Sequence, residues 1–172
     1  MRKTIISSIF ILCLFLLQST WSTMLSIGSI RPNLLIIATA SLGFLGGKRT
    51  GIYAGFFSGL LIDVVFRSVY GMNALIYMYI GFTCGSFKKV LFPKDIKLPL
   101  LIIVVSDFVY SILYYFFLFF FRGKFAFSYY LKSIMLPEMV YTAIMACIIY
   151  PFIHFVMKRI EAPEKKGEQI IV

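Results

Sequence analysis

Three acidic residues within or beside long apolar stretches are the first candidates for chemistry in this sequence. They are Asp63, Asp107 and Glu138. A charge at the centre of a bilayer costs about 2.5–3.5 kcal/mol even on a lenient insertion scale, so such residues usually face a protein interior and often mark a function. A proton carrier would need carboxylates in a connected path, and an aspartyl protease would need two in a shared wet site. The sequence spacing indicates neither arrangement.

Each acid also has a structural interpretation, and the sequence leaves the alternatives open. Asp63 precedes Arg67 by one helical turn, so it either forms a local ion pair at a turn or contacts another helix or a partner protein. Asp107 has no basic residue within a turn, so it is either protonated, bonded to Asn73 or a tyrosine, or exposed to a wet cavity. Glu138 follows a proline at a predicted helix start, where the helix dipole favours an acid.

The other reactive residue types exclude several classes of site. The cysteines Cys13, Cys84 and Cys147 are dispersed through apolar segments, so they form neither a disulfide framework nor a CxxC metal site. The chain has one histidine, His154. Without a cysteine pair it does not make a zinc site, and no catalytic triad can be assembled around it. We therefore predict a protein that is not an enzyme and that has no metal or cofactor.

The composition is that of a polytopic membrane protein. Of the 172 residues, 60% are hydrophobic and 14% are charged, and the mean hydropathy is +0.92. A soluble domain of this length would need far more polar surface. The net charge of +10 arises from bases between the apolar segments, where they orient helices. No basic platform suited to nucleic acid is present.

The apolar segments predict an all-α bundle of six transmembrane helices. Their ranges are about 4–25, 32–47, 50–66, 72–90, 98–121 and 137–157. The second segment reaches only about 21 Å against about 30 Å of hydrocarbon, so its crossing needs separate support. If it crosses, most of the 17 lysines and arginines lie on the cytoplasmic side, as the positive-inside rule requires. We predict a membrane domain over 1–161, a polar cytoplasmic tail over 162–172, and both termini inside.

The third and fourth predicted helices carry glycines at helical spacing. Residues four apart share one face of a helix, and small residues on that face let another membrane helix come close. The first stripe continues through Asp63 and Arg67, and the second begins with Asn73 and Tyr77. The stripes predict a tightly packed hairpin or a face that receives a partner helix. The glycines of this interface are Gly51, Gly55, Gly59, Gly81 and Gly85.

Four motifs occur in an order that is typical of one family. They are Arg31-Pro32-Asn33-Leu34-Leu35, Lys48-Arg49-Thr50-Gly51, Gly55-Phe56-x2-Gly59-Leu60-x2-Asp63 and Gly71-x2-Ala74-Leu75. In these motifs, and in length, helix number and basic charge, the chain resembles MreD, the rod shape-determining membrane protein of bacterial cell-wall elongation. Asn33 is a departure, since the family often has Asp at this position.

The resemblance implies a non-enzymatic scaffold in the bacterial cytoplasmic membrane, with lipid around it. The scaffold would bind the transmembrane helix of MreC and help to control cell shape and peptidoglycan synthesis. The resemblance also implies a larger complex with MreB, RodA and a penicillin-binding transpeptidase, and it leaves homo-oligomers open. The family's six-helix arrangement is similar to the substrate-binding subunits of energy-coupling-factor vitamin transporters. A small-molecule-binding transport subunit is therefore the alternative.

Overall fold

The computed structural model describes residues 2–21, 31–66, 71–88, 97–120 and 127–168, and the described chain contains helices and no strands. Five helices precede the last long run: α1 (Arg2–Trp21), α2 (Leu34–Gly46), α3 (Lys48–Phe66), α4 (Met72–Phe87) and α5 (Lys97–Phe120). The last run joins α6 (Phe127–Tyr130), a π-helical turn (Leu131–Met135) and α7 (Leu136–Glu168) without a break. We call this run the C-terminal helix. The prediction of an all-α chain with six helices is confirmed.

The C-terminal helix differs from its predicted bounds at both ends. It begins at Phe127 rather than near residue 137, and it continues to Glu168 rather than ending near residue 157. Pro137 suggested a helix start, because proline breaks the regular hydrogen bonding of a helix interior. A π-helical turn precedes it instead, with the Leu136 N–H donating to the Leu131 carbonyl. Glu138 lies in the first turn of α7, but the helical chain continues before it, so it does not stand at a free helix end.

The short helix α2 lies at the centre of the bundle. Every residue from position 34 to position 44 is buried, and α2 contacts α1, α3, α4, α5 and α7. Its 13 residues rise about 20 Å. Protein surrounds residues 34–44, so the thickness of the hydrocarbon core sets no minimum length for α2.

A single residue outside the helices connects α2 to α3. Gly47 has φ 89°, in the left-handed region that residues with a Cβ atom rarely adopt. Its N–H donates to the Gly43 carbonyl at 2.8 Å, which closes the end of α2. The connection holds α2 and α3 as neighbours.

The outer surface of the bundle is apolar. Large hydrophobic side chains are exposed on α1, α3, α4, α5 and the C-terminal helix; on α1 they are Ile5, Ile9, Leu12 and Leu16, and on α7 they include Val140, Ile144, Ile148, Phe152 and Phe155. Apolar exposure on this scale marks a surface that meets lipid or another protein. By length and composition, Lys97–Phe117 and Ser128–Arg159 are each able to cross a bilayer.

Candidate functional site

The glycine stripes of α3 and α4 face each other inside the chain. A Cβ atom at Gly51 would overlap the Gly81 carbonyl, and one at Gly81 would overlap the Gly51 carbonyl. A Cβ atom at Gly55 would overlap the carbonyl of Tyr77 on α4. The two helix backbones therefore lie in direct contact, which only glycine permits at these positions.

The same contact extends to both ends of the hairpin. A Cβ atom at Gly59 would overlap the backbone of Ala74, and one at Gly85 would lie 2.7 Å from the backbone of Lys48. All five glycines of the predicted interface are buried. Their faces are filled by the chain's own helices, so a partner helix has no room to enter between α3 and α4.

The carboxylate of Asp63 caps the next helix. Its Oδ2 atom accepts hydrogen bonds from the backbone N–H groups of Gly71, at 3.0 Å, and Ala74, at 3.1 Å. Its Oδ1 atom accepts from the backbone N–H of Asn73, at 3.3 Å, and from the Asn73 side-chain amide, at 2.8 Å. The first turn of a helix leaves such N–H groups without partners, and its positive dipole end favours an anion. Asp63 thus makes an inter-helix contact at the start of α4.

Arg67 lies outside the described residues, so its predicted ion pair with Asp63 stays a prediction. Asp63 itself is 1% exposed. Its four bonds from the described residues help to hold it in the interior, because a buried carboxylate that is hydrogen-bonded loses less on leaving water.

Further hydrogen bonds continue from Asp63 into a buried polar cluster. The Tyr110 hydroxyl of α5 donates to Asn73 Oδ1 at 3.1 Å, and the Tyr77 hydroxyl of α4 donates to Asn33 Oδ1 at 2.8 Å. The rings of Tyr77 and Tyr110 meet edge to face, with their centroids 5.1 Å apart. We call Asn33, Asp63, Asn73, Tyr77 and Tyr110 the polar cluster.

Asn33 joins three helices at one point of this cluster. Its Oδ1 atom caps α2 by accepting from the Ile36 N–H at 3.2 Å, and it also accepts from Tyr77. The Asn33 backbone N–H donates to Thr142 Oγ1 of the C-terminal helix at 3.2 Å. Both side-chain bonds are accepted by oxygen, so an aspartate, which the resemblance makes common here, would accept them as well.

Asp107 lies beside the cluster and differs from Asp63 in its bonding. It is fully buried, and neither carboxylate oxygen has a hydrogen-bond partner among the described residues. The alternative in which Asp107 bonds to Asn73 or a tyrosine is not found among the described residues; the Asn73 side chain bonds to Asp63 and Tyr110. The Thr142 hydroxyl approaches Asp107 without the geometry of a hydrogen bond.

Glu138 and Asp107 are close enough to interact electrostatically. The spacing in the sequence indicates no connected path of carboxylates, and Glu138 was interpreted as a helix-start residue, so this proximity was not predicted. Glu138 and Thr142 lie four residues apart on one face of α7, and that spacing was the available signal. It did not say which helix the face would meet.

A family model described as MreD, rod shape-determining protein MreD, matches residues 1–160 of the chain. No curated protein matches the chain. No solved structure matches it either, so the similarity to energy-coupling-factor subunits stays a prediction.

Proposed function

The chain belongs to the MreD family of rod shape-determining proteins, and from this premise we propose that it is a non-enzymatic scaffold of the bacterial cell-elongation complex that binds MreC. The match to residues 1–160 is the observation that carries the proposal, and membership makes the chain a membrane protein. The geometry is consistent with a scaffold. Its glycine faces pack against its own helices, and most groups of the polar cluster are hydrogen-bonded within the chain. Large apolar side chains are exposed on the outside.

In this proposal all six helices cross the cytoplasmic membrane, with both termini inside and residues 162–172 in the cytoplasm. The orientation puts Lys48 and Arg49 on the cytoplasmic side, in line with the positive-inside rule. It puts the polar cluster in the outer half of the membrane. Alkaline phosphatase fused after residue 172 should be inactive, and fused within 67–70 it should be active. The opposite pattern would reverse the orientation.

MreC would dock on an exposed apolar face, because the glycine faces are occupied within the chain. A membrane-spanning partner helix gains from close van der Waals packing rather than from a hydrophobic driving force. Through MreC the scaffold would join MreB, RodA and a penicillin-binding transpeptidase in control of peptidoglycan synthesis. Self-association through another apolar face is compatible with the same arrangement.

The test is co-purification of tagged MreC with this protein in mild detergent, at matched expression. An unrelated single-pass protein of similar abundance is the control. MreC should be retained and the control lost; equal loss of both would remove the support for the scaffold. Photoreactive residues placed on one exposed position per helix would locate the face, at Ile9, Tyr53, Tyr79, Val105 and Ile144.

A second candidate function is the small-molecule-binding subunit of a vitamin-type transporter. The observation that favours it is the buried Asp107, whose carboxylate has no hydrogen-bond partner among the described residues, next to Glu138 and the polar cluster. A ligand with donor groups would satisfy that carboxylate. Thermal-shift measurements against a vitamin panel test this candidate. A panel without any shift, alongside retained MreC binding, leaves the scaffold as the function.

A further inference from the structure

The helices α4 and α5 leave a groove of about 450 Å³ between them. Its walls are mainly apolar, with Phe87 and Leu101 at one end and Tyr79 and Val109 at the other. The serine, threonine and cysteine of the lining are already bonded: the Ser106 hydroxyl donates to the Ile102 carbonyl at 2.7 Å and contacts Cys84 Sγ at 3.2 Å, and the Thr83 hydroxyl donates to the Ile80 carbonyl. The groove therefore suits an apolar occupant.

The groove has the length of one membrane leaflet. From the level of Phe87 to that of Tyr79 is eight residues of α4, or about 12 Å, and half of the hydrocarbon core is about 15 Å. Beyond Tyr79 the two helices are joined by the Tyr110–Asn73 hydrogen bond and by the contact of the Tyr77 and Tyr110 rings. A spanning partner helix needs a face through the whole bilayer, whereas a single acyl chain needs only this depth.

Basic residues lie at the Phe87–Leu101 end of the groove. Lys97, Leu101 and Val105 are four residues apart on one face of α5, so the exposed Lys97 stands one turn beyond the lining. Lys88 directly follows Phe87 on α4, and its ammonium group donates to the Leu45 carbonyl. The N-terminus of α5, with its positive dipole, lies at the same end. Basic pockets at the cytoplasmic ends of membrane helices favour anionic lipid headgroups.

We propose that this groove binds one acyl chain of an anionic phospholipid, with the lipid phosphate held by Lys97 at the Phe87–Leu101 end. The lipid would come from the cytoplasmic leaflet, so the assignment of leaflet rests on the orientation proposed above. Binding would fill the gap between α4 and α5, whose contact is among the least extensive in the bundle.

The test compares phosphatidylglycerol with phosphatidylcholine of the same acyl chains, added to the full-length protein in mild detergent. Phosphatidylglycerol at tenfold excess over its Kd should raise the Tm by roughly 3–6 °C. Native mass spectrometry should show one retained phosphatidylglycerol molecule and no comparable phosphatidylcholine adduct. Equal shifts and equal retention for both lipids would overturn the proposal.

Two variants and a control assign the effect to the groove. Val105→Trp fills the groove from an exposed position, and Ile144→Trp adds the same ring at a similarly exposed position of α7; their exposed fractions are 51% and 56%. The phosphatidylglycerol shift should disappear in Val105→Trp and persist in Ile144→Trp. Lys97→Gln should reduce it to the phosphatidylcholine value. A shift that survives Val105→Trp would refute the groove as the site.

A photoreactive residue at Val105 distinguishes lipid from a protein occupant in native membranes. Cross-linking to phospholipid supports the proposal, and cross-linking to the MreC transmembrane helix overturns it while leaving the scaffold function in place. Loss of MreC co-purification with an intact phosphatidylglycerol shift would overturn the scaffold function and leave the lipid site in place. The two proposals therefore fail separately.

Discussion

Replacing Asp63 with asparagine should strongly destabilise the bundle, although the two side chains have nearly the same shape. From the described residues the carboxylate accepts four hydrogen bonds, two on each oxygen. Asparagine retains one oxygen and presents an amide donor in place of the other. In either orientation of the amide, two N–H groups at the start of α4 lose their acceptor.

The magnitude follows from these lost partners. A buried donor without an acceptor costs about 1–3 kcal/mol, and loss of the charge at the helix N-terminus costs about 0.3–1 kcal/mol more. Hydrogen bonds measured inside membrane bundles average only about 0.6 kcal/mol, which draws the total toward the lower end. We expect Asp63→Asn to lower the free energy of unfolding by about 2–4 kcal/mol.

Thermal unfolding in a mild detergent is the assay, and Asp107→Asn is the matched control. At about 2–4 °C per kcal/mol for a chain of this size, Asp63→Asn should lower the Tm by roughly 5–15 °C. Asp107 is equally buried but accepts no hydrogen bond from the described residues, so Asp107→Asn should keep or raise the Tm. Equal losses in both variants would refute the capping role, because they would reflect only the removal of a buried acid.

Three further changes test other contacts. Gly55→Leu should lower the free energy of unfolding by about 3 kcal/mol or more, because its side chain would overlap the Tyr77 carbonyl. Phe56→Leu, at an exposed position of the same helix, is its control. A similar Tm for both variants would place the α3–α4 contact elsewhere. Gly47→Ala should cost about 1–2 kcal/mol, since φ is 89° there, and an unchanged Tm would contradict that backbone conformation. Tyr77→Phe should cost about 1 kcal/mol through the lost bond to Asn33, whereas Tyr79→Phe, at an exposed position, should leave the Tm unchanged; equal effects would argue against the Asn33 bond.

The α3–α4 hairpin could be predicted from the sequence because its signal is local. Glycines four residues apart must share a helix face, and two such faces joined by a short turn favour mutual packing. The position of Asp63 one turn after Gly59 was also visible. Its function as a cap was not visible, because the sequence offered Arg67 as a nearer partner.

The rest of the polar cluster could not be predicted, because its contacts join distant parts of the chain. Asn33 bonds to Tyr77 and Thr142, and each bond depends on how α4 and the C-terminal helix rotate against α2. Helical periodicity defines a face but not the neighbour of that face. The proximity of Asp107 to Glu138 was missed for the same reason.

The order of the α3 stripe, glycines first and the acid last, has a physical basis in the hairpin. Backbone contact at Gly59 places the start of α4 directly against α3, so the N–H groups of Gly71 and Ala74 lie beside the next turn of α3. A buried N–H group without an acceptor costs about 1–3 kcal/mol. The residue one turn beyond Gly59 must therefore supply an acceptor, and Asp63 supplies two oxygens at the dipole's positive end. Glycine contact and carboxylate cap are thus parts of one packing element, and this explains a buried acid at this position of α3.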